Sequence, residues 1–437
     1  MLKITFLGAG STVFAKNVLG DCILSEELGE FEIALYDIDN VRLEDSYLML
    51  KNICSNANGK AKIVAYRDRL EALRNAKYIV NAIQVGGYEP CTVVDFEIPK
   101  KYGLRQTIAD TLGIGGIFRA LRTIPVLEDF ANDIHKVCPN ALLINYTNPM
   151  SMLTGYIQRQ LDINVVGLCH SVQVCVPGLF KTLDMNDYLA DCHWKIAGIN
   201  HQSWLLEITD KNGADLYPEI KKRSLDAKYN ENKSWDLVRH ELMHHFGYYV
   251  TESSEHSAEY SPWFIKNKYP ELIERFHIPL DEYPTRCIRQ INEWAKMREE
   301  MVNDTAIKHE KSNEFAASII KAIETDVPYR IHGNVLNKGL ITNLPSNACV
   351  EVPCMVDRNG INPCIVGELP VQCAAINRTN INVQLLTIEA ARTRKKEYIY
   401  MAAMLDPHTA SELSMDDIIN MCNDLMEAHK GWLPEFR

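Results

Sequence analysis

Residues 4–11 read ITFLGAGS, a pattern that indicates the fold of the N-terminal half. The apolar run Ile4 to Leu7 predicts a buried strand, and Gly8 and Gly10 predict a tight turn into a following helix. Glycine lets the backbone approach a pyrophosphate, whose charge the helix N-terminus stabilises. The stretch therefore predicts a dinucleotide-binding turn, although Val13 stands where the GxGxxG pattern has its third glycine.

A second strand reads EIALYD and ends on Asp37. A carboxylate at the end of this strand can accept both ribose hydroxyls, and it disfavours a 2′-phosphate. The pattern of strand, glycine turn, helix, strand and acid therefore predicts NAD as the cofactor. The candidate cofactor-binding residues are Gly8, Gly10, Ser11 and Asp37.

Short apolar runs alternate with longer amphipathic runs as far as about residue 190. This alternation predicts a Rossmann-like, doubly wound parallel sheet, because parallel neighbours need helical crossovers. The expected strands are 4–7, 32–36, 62–65, 78–85, 141–146 and 165–168, and the expected helices are 12–28, 41–54, 70–75 and 115–137.

The alternation weakens after Trp194, which predicts a second, α+β unit for substrate binding and oligomerisation. We therefore expect an NAD-binding domain over 1–195 and a second domain over 196–437. A hairpin turn is expected at 211–213, and long helices are expected at 235–246, 283–302, 313–324 and 380–404.

The composition narrows the class of protein. The 437 residues carry 46 Lys and Arg against 57 Asp and Glu, a formal charge of −11. Such a surface repels phosphate backbones and anionic lipid, so we expect neither nucleic acid nor membrane as a partner. The 13 cysteines are unclustered, which favours reduced thiols in the cytoplasm. No signal peptide or membrane-spanning run is visible.

Two chemistry-bearing side chains follow a predicted strand, and a third lies further along the chain. Cys169 and His170 come after the strand at 165–168, and His201 lies in GINH about thirty residues further on. Because open α/β sheets bind ligands at the carboxyl ends of strands, Cys169 and His201 could hold a catalytic divalent ion. The alternative is an ordinary buried thiol and a hydrogen-bonded histidine.

A second metal-like pattern is HELMH at 240–244, which matches HExxH on a predicted helix, with Glu255 or Glu259 as a further ligand. The pattern is short, and a metalloprotease would leave the NAD signal unexplained. We therefore favour an amphipathic surface helix, with Arg239, His240, His244 and His245 exposed to solvent.

Two further stretches carry candidate site residues. NYTNPM at 145–150 follows a strand, and it resembles the Asn-Pro of lactate and malate dehydrogenases, although an Asn-Pro turn is the plain alternative. QTIADTLGIGGIFRALR at 106–122 holds a glycine-rich segment, Asp110 and two arginines. By itself this segment fits a phosphate loop, a mobile lid or the start of a helix.

Taken together, these motifs resemble glycoside hydrolase family 4, and most of all its α-galactosidase branch. The resemblance runs from Ile4 to about Leu433, and it is carried by GAGS, TIADTLGIGGIFRALRTIP, NYTNPM, GLCHS, AGINH, YVTESSEHSAEY and MLDPHTA. It implies NAD and a divalent metal, usually Mn²⁺, as cofactors. It also implies oxidation at C3 of the sugar, removal of the C2 proton, elimination at C1 and return of the hydride.

The resemblance also implies residue roles. Cys169 and His201 match the metal ligands, and His170 matches the leaving-group acid, which is an Asp in the phosphoglucosidase branch. Asn148 matches the substrate-contacting Asn, and Asp110 matches the carboxylate beside the base. A tyrosine often serves as the base, and Tyr260 is our first choice, followed by His256. Such a tyrosine needs its pKa lowered by the metal or a nearby positive charge.

The substrate implied is an α-galactoside such as melibiose. An α-galacturonide or another α-glycoside is the alternative, since Arg119, Arg122 and Arg286 could each face a carboxylate or phosphate. Among the arginines, Arg286 is the candidate for substrate contact. Two other classes remain open: an NAD-dependent dehydrogenase of the 2-hydroxy-acid type and a non-catalytic NAD-responsive binding protein. The apolar helix expected at 380–404 and the family resemblance predict a homodimer or homotetramer.

Overall fold

One twelve-stranded sheet runs through the protein in a computed structural model that describes residues 1–437. Its strands are β1 (Leu2–Leu7), β2 (Phe31–Tyr36), β3 (Ala61–Tyr66), β4 (Tyr78–Asn81), β5 (Leu142–Asn145), β6 (Val165–Gly167), β7 (His193–Ile199), β8 (Gln202–Thr209), β9 (Tyr249–Val250), β10 (Tyr329–Leu336), β11 (Cys349–Asp357) and β12 (Gly360–Pro363).

Helices connect the strands and cover the sheet. They are α1 (Thr12–Ile23), α2 (Asn40–Asn56), α3 (Arg69–Leu73), α4 (Val93–Lys101), α5 (Gly113–Val137), α6 (Met150–Gln160), α7 (Ser171–Thr182), α8 (Tyr217–Leu225), α9 (Leu237–Phe246), α10 (Ser254–Glu259), α11 (Glu271–Arg275), α12 (Glu282–Arg298), α13 (Phe315–Thr325), α14 (Val371–Thr393), α15 (Lys396–Leu405), α16 (Pro407–Glu412) and α17 (Met415–Ala428). None of them is both long enough and apolar enough to cross a lipid bilayer.

The first six strands form the parallel part of the sheet in the order β3-β2-β1-β4-β5-β6, which confirms the predicted doubly wound fold. These strands are apolar because helices cover both of their faces. Two expected elements are shorter than predicted. The strand predicted at 78–85 ends at Asn81, and the helix predicted at 12–28 ends at Ile23 before a short 3₁₀ turn over Glu26–Leu28.

The second part of the sheet is antiparallel and continues from β6 in the order β10-β11-β7-β8-β9. The hairpin β10–β11 lies between β6 and β7, so a single sheet contains strands from both sides of residue 195. The edge of β6 presents unpaired backbone groups, and β10 satisfies them through the pairing of Asn334 with Gly167. The two predicted units therefore share a sheet.

One expectation for the second half is confirmed, and another is wrong in detail. The hairpin turn at 211–213 is present and closes on a single antiparallel bridge between Thr209 and Asp215, after which the chain enters α8. The helix expected at 380–404 is divided into α14 and α15, because Arg394 adopts a left-handed conformation with φ of 58°. A residue whose backbone adopts this conformation ends an α-helix.

The fold gathers the candidate residues at one edge of the sheet. The glycine turn follows β1, Asp37 follows β2, Asn148 follows β5 and Cys169 follows β6. His201 joins them from the turn between β7 and β8. The carboxyl ends of parallel strands and one antiparallel turn therefore border a common space, where ligands bind in this class of sheet.

Candidate active site

Three side chains form a cluster with the donor atoms of a metal site: Cys169, His201 and Glu252. Their candidate ligand atoms all lie within 4.8 Å of one another. His201 Nε2 is 3.3 Å from Glu252 Oε2, and Cys169 Sγ is 4.0 Å from the same oxygen. A thiolate, an imidazole and a carboxylate fit a divalent transition-metal ion with positions left open for substrate.

Local backbone conformation aims two of these side chains. His201 lies in the two-residue turn between β7 and β8 with φ of 62°, and Glu252 follows β9 with φ of 68°. Both values are in the left-handed region, which non-glycine residues adopt at a cost and which is enriched at functional sites. The turn and the strand end thus place both side chains toward Cys169.

The cluster also has the electrostatics of a cation site. Burial opposes a charged imidazole, but the Glu252 carboxylate and the Cys169 thiol raise the pKa of His201 to about 10. Burial likewise opposes a charged Glu252, yet His201 and His256 hold the pKa of that carboxyl below its usual range. The site therefore favours a positive charge between its ligands, which is the charge that a metal ion brings.

Tyr260 lies on the other side of His201. Its hydroxyl is 2.9 Å from His201 Nδ1, whereas Glu252 faces Nε2, and its side chain is fully buried. Burial, followed by the charges of Asp110 and Glu252, raises the pKa of Tyr260 well above its ordinary value. A cation bound next to His201 would act in the opposite direction and lower the pKa of this phenol.

His256 lies between two carboxylates. Its Nε2 is 3.6 Å from Asp110 Oδ1, and its Nδ1 is 3.7 Å from Glu252 Oε1. The ring centroids of His256 and His201 are 4.7 Å apart. The imidazole of His256 therefore borders the metal-ligand cluster directly.

Asp110 connects this group to the predicted substrate residue. Asn148 Nδ2 donates to Asp110 Oδ2 at 3.2 Å, and Thr111 donates to Asp110 Oδ1 at 2.9 Å. Burial opposes the charge on Asp110, but His256 and Arg119 hold the pKa of this carboxyl well below its ordinary range. Asp110 is therefore a carboxylate that holds both His256 and Asn148.

His170 is the most exposed member of the site. Its Nε2 lies 2.7 Å from Glu314 Oε1, and its ring stacks on Tyr146 at a centroid distance of 6.2 Å. Glu314 is buried, and its hydrogen bond raises the pKa of His170 while partial burial opposes the shift. A half-exposed imidazole whose pKa lies above its ordinary value has the properties of a general acid.

A buried carboxylate fixes the loop that carries Asp110. Glu259 Oε1 accepts hydrogen bonds from the backbone N–H groups of Thr107, Ile108 and Ala109 at 2.6, 2.9 and 3.1 Å. Burial raises the pKa of Glu259 to about 7, although these bonds oppose the shift. Because Glu259 ends α10, it links His256 and Tyr260 to Asp110.

The glycine turn fits a dinucleotide pyrophosphate. Gly8 has φ of 89°, and a Cβ there would lie 2.5 Å from the carbonyl oxygen of Ala82. A Cβ on Gly10 would lie 2.8 Å from Asp37 Oδ2. Ser11 is exposed, and no side chain caps the start of α1. The first N–H groups of α1 are thus available to a phosphate.

Asp37 is held in a fixed orientation beside this turn. Its Oδ2 accepts from Gly10 N at 2.7 Å, and its Oδ1 accepts from Asp39 N at 2.9 Å. A carboxylate oxygen has two lone pairs, so each oxygen can still accept a hydroxyl hydrogen. The residue therefore positions the loop and retains the capacity to bind a ribose.

The three arginines named as candidates have different surroundings. Arg122 is buried in a two-bonded ion pair with Asp95. Arg286 pairs with Glu282 one turn earlier on α12, at 3.2 Å. Arg119 is only 7% exposed, and no carboxylate lies within ion-pair distance of its guanidinium.

The HELMH segment forms no metal-ligand cluster. It lies on α9, but His240 and Arg239 are each only 4% exposed, so the expected solvated face is wrong for both. Arg239 pairs with buried Asp236, and His244 Nε2 lies 2.8 Å from Ser224 Oγ. The helix packs these polar groups into the protein, where buried partners satisfy the charge of Arg239.

Reasoning from the sequence missed Glu252 and Glu314. Glu252 lies in the YVTESSEHSAEY motif and follows β9, so the rule that ligands follow strand ends would have pointed to it. Glu314 carries no such signal, because it precedes α13 and is 144 residues from His170.

Comparison with known proteins identifies the class. The fold is shared with a 6-phospho-alpha-glucosidase from gut microorganisms, solved in complex with NAD and Mn²⁺, with a TM-score of 0.80, 20% identity and complete coverage of both chains. Two models of the family 4 glycosyl hydrolases match the sequence: the family model over residues 3–185 and its C-terminal domain over residues 196–409.

Two relatives make the relation more specific. An alpha-galactosidase of Bacillus subtilis (strain 168) is 62% identical, with both chains covered completely. An alpha-galactosidase of Rhizobium meliloti (strain 1021) is 33% identical over 99% of this chain and 89% of the relative. The chain belongs to the family 4 glycosyl hydrolases.

Proposed function

We propose that the protein hydrolyses α-galactosides such as melibiose, with NAD and a divalent metal ion, Mn²⁺ in the first instance, as cofactors. The observation that carries the choice of substrate is the 62% identity to an alpha-galactosidase over the whole chain. The cluster of Cys169, His201 and Glu252 beside a dinucleotide turn supports the chemistry. A glycosidase of this kind replaces the usual pair of catalytic carboxylates by redox assistance.

In this proposal each cofactor has its own set of residues. Cys169, His201 and Glu252 hold the metal ion, and Gly8, Gly10, Ser11 and Asp37 bind NAD. When bound, NAD accepts and returns a hydride at a sugar carbon, and the metal ion acts as a Lewis acid toward the sugar oxygens. The remaining side chains bind the sugar and move protons.

His170 is the proposed acid for the leaving group. Its contact with Glu314 at 2.7 Å orients the ring and favours the imidazolium form. Its half-exposed position suits a donor to the glycosidic oxygen, because the aglycone leaves toward solvent. The proton then passes from His170 to that oxygen as the bond to C1 breaks.

The proposed base removes the proton from C2 of the sugar. Tyr260 was our first choice from the sequence and His256 our second, and the contacts of the two residues now support His256. Tyr260 contacts the side of His201 that faces away from Glu252, whereas His256 borders both Glu252 and Asp110. Asp110 then orients His256, and Tyr260 orients the ligand His201.

Asn148 is proposed to contact the sugar from beside Asp110. Arg286 remains a proposed substrate contact at the outer part of the site, where its pairing with Glu282 leaves it partly exposed. The NAD-binding part is assigned to 1–195, and the substrate-binding part to 196–437. Support for this proposed division comes from the family models, which cover residues 3–185 and 196–409.

A panel of nitrophenyl glycosides tests the substrate and the reaction together. We expect hydrolysis of the α-galactoside only with NAD⁺, Mn²⁺ and a reductant present, and no net accumulation of NADH. Hydrolysis of the α-galacturonide instead would move the substrate to the acidic alternative. Net formation of NADH without release of nitrophenol would replace the hydrolase by a dehydrogenase.

We also propose a cytoplasmic homodimer or homotetramer. All 13 cysteines are free thiols, and a thiol metal ligand requires a reducing compartment. Apolar side chains remain exposed on α15, where Met401 is 47% and Leu405 is 50% exposed. Light scattering on the purified protein measures the subunit number, and a monomeric mass would reject the oligomer.

A further inference from the structure

Arg119 is a buried cation beside the proposed active site without an anionic partner of its own. It is 7% exposed, and its one hydrogen bond runs from Nη2 to the hydroxyl of Tyr283 at 3.3 Å. Its guanidinium carbon also lies 5.4 Å from the centre of the Tyr283 ring. The neighbouring Arg122 contrasts with it, because both of its terminal nitrogens bind the carboxylate of Asp95.

Tyr283 links Arg119 to the loop that carries Asp110. Burial opposes the charge of Arg119, but Tyr283 and Asp110 raise the pKa of its guanidinium. Tyr283, which holds Arg119, donates its backbone N–H to the carbonyl oxygen of Thr107 on the loop that carries Asp110. Asn148 approaches the same carboxylate at 3.2 Å.

A guanidinium has five N–H donors in a planar fork that fits paired oxygen atoms. Burying such a group without partners costs free energy, and proteins normally avoid it by pairing the charge. The Nε and Nη1 groups of Arg119 have no hydrogen-bond partner in the protein, and they are not sealed off as fully buried unpaired atoms. Both groups therefore keep some accessible surface and free hydrogen-bonding capacity.

We propose that Arg119 binds the glycone through a pair of its oxygen atoms, either two neighbouring hydroxyls or a carboxylate at C6. This inference rests on the proposed function, since it takes the ligand to be a sugar. Tyr283 fixes one edge of the guanidinium, and the remaining donors face the sugar beside Asp110 and Asn148. Arg119 is thus the specificity-determining cation of the site, and Arg122 is a structural one.

Isothermal titration of two free sugars tests the proposal. Galactose and galacturonate are titrated into the wild type loaded with NAD⁺ and Mn²⁺, and into the Arg119→Gln and Arg119→Lys variants. Arg378→Gln is the matched control, because Arg378 is exposed on α14 and contacts only Asn382. Titration of NAD⁺ into each variant shows whether the fold is intact. If Arg119→Gln does not fold, Arg119→Lys, which keeps the charge but loses the fork, decides.

We expect Arg119→Gln to weaken sugar binding by about tenfold or more, the loss typical of a hydrogen bond from a charged donor. Arg119→Lys should bind with intermediate affinity, and Arg378→Gln should match the wild type. A larger loss for galacturonate supports contact at C6, and equal losses support contact with ring hydroxyls.

Sugar affinities that stay within about twofold of the wild type in both Arg119 variants would overturn the proposal. In that case Arg119 only stabilises the charged form of Asp110, and a lower kcat with unchanged sugar binding would show this role. A wild type that hydrolyses no α-galactoside in the glycoside panel would reject the α-galactosidase function itself. The two failures are therefore distinguishable.

Discussion

His201 Nε2 lies 3.3 Å from Glu252 Oε2, although the two residues come from different turns of the antiparallel part of the sheet. The opposite nitrogen of the same ring is 2.9 Å from the hydroxyl of Tyr260. The imidazole is therefore held from both sides, with the carboxylate on the side of Cys169. This arrangement leads to the first two predictions.

Removal of either Cys169 or Glu252, two of the proposed metal ligands, should abolish tight metal binding. We expect Glu252→Gln and Cys169→Ser to weaken Mn²⁺ binding by more than the about 10–100-fold typical of losing an outer partner of a ligand. Equilibrium dialysis with Mn²⁺ measures the effect. Cys192→Ser is the matched control, since Cys192 is a half-buried thiol outside the cluster. Unchanged affinity in Glu252→Gln would remove Glu252 from the ligand set.

The base can be identified by exchange of the C2 proton of the substrate with solvent deuterium. We expect His256→Asn to abolish this exchange, because His256 borders the ligand cluster and contacts Asp110. Tyr260→Phe should retain exchange at a reduced rate, because it loses only the contact with His201. NAD⁺ binding should be unchanged in both variants. The reverse pattern would return the role to Tyr260.

Glu314 should matter most for substrates with poor leaving groups. The Glu314→Ala variant loses the contact that orients His170, so we expect kcat for melibiose to fall by about tenfold or more. Nitrophenyl galactoside should be affected less, because its leaving group needs little acid help. Glu310→Ala, an exposed acid on the same segment, is the control. Equal losses on both substrates would argue against an acid-supporting role.

The three N–H bonds of Glu259 should contribute strongly to stability. Glu259→Ala leaves the amides of Thr107, Ile108 and Ala109 unpaired in a buried position, at about 1–3 kcal/mol for each group. We expect a destabilisation of about 3 kcal/mol or more in urea unfolding. Glu259→Gln keeps an acceptor oxygen and should lose less. Similar losses in the two variants would show that charge, and not the acceptor, is what the amides require.

The buried His240 predicts a loss of stability in mild acid. Burial lowers its pKa to about 4, so the folded state keeps it neutral while the unfolded state takes up a proton below its ordinary value of about 6.5. The unfolded state binds more protons in this window, so stability falls as the pH decreases from about 6.5 towards 4. The expected loss from pH 7 to 5 is about 2 kcal/mol.

Unfolding curves of the wild type and His240→Leu at pH 7 and 5 check this prediction. The variant should lack that part of the pH dependence, whatever its stability at pH 7. His245→Leu is the control, because His245 is mostly exposed on the same helix. An identical pH dependence in His240→Leu and the wild type would contradict the assignment.

Local sequence patterns predicted the parallel part of the fold, which the structure confirms, and they also predicted a nucleotide-binding role for the glycine turn. Strand, glycine turn and helix are encoded by neighbouring residues, because periodicity and backbone freedom act over a few positions. The same local logic led to Cys169, since side chains at strand ends share one edge of a parallel sheet. The same reasoning wrongly predicted a solvent-exposed His240, because the spacing of apolar residues on a helix does not show how deeply the helix is buried.

Contacts between side chains that are distant in sequence depend on how the whole chain packs. Glu252 is 83 residues from Cys169, and Glu314 is 144 residues from His170, so no local pattern records either contact. The insertion of β10 and β11 between β6 and β7 is equally non-local. Two arginines illustrate this dependence. Arg119 and Arg122 are neighbours on one helix, yet only Arg122 pairs with a carboxylate, that of Asp95. Charge compensation depends on what packs nearby, which the folded chain alone defines.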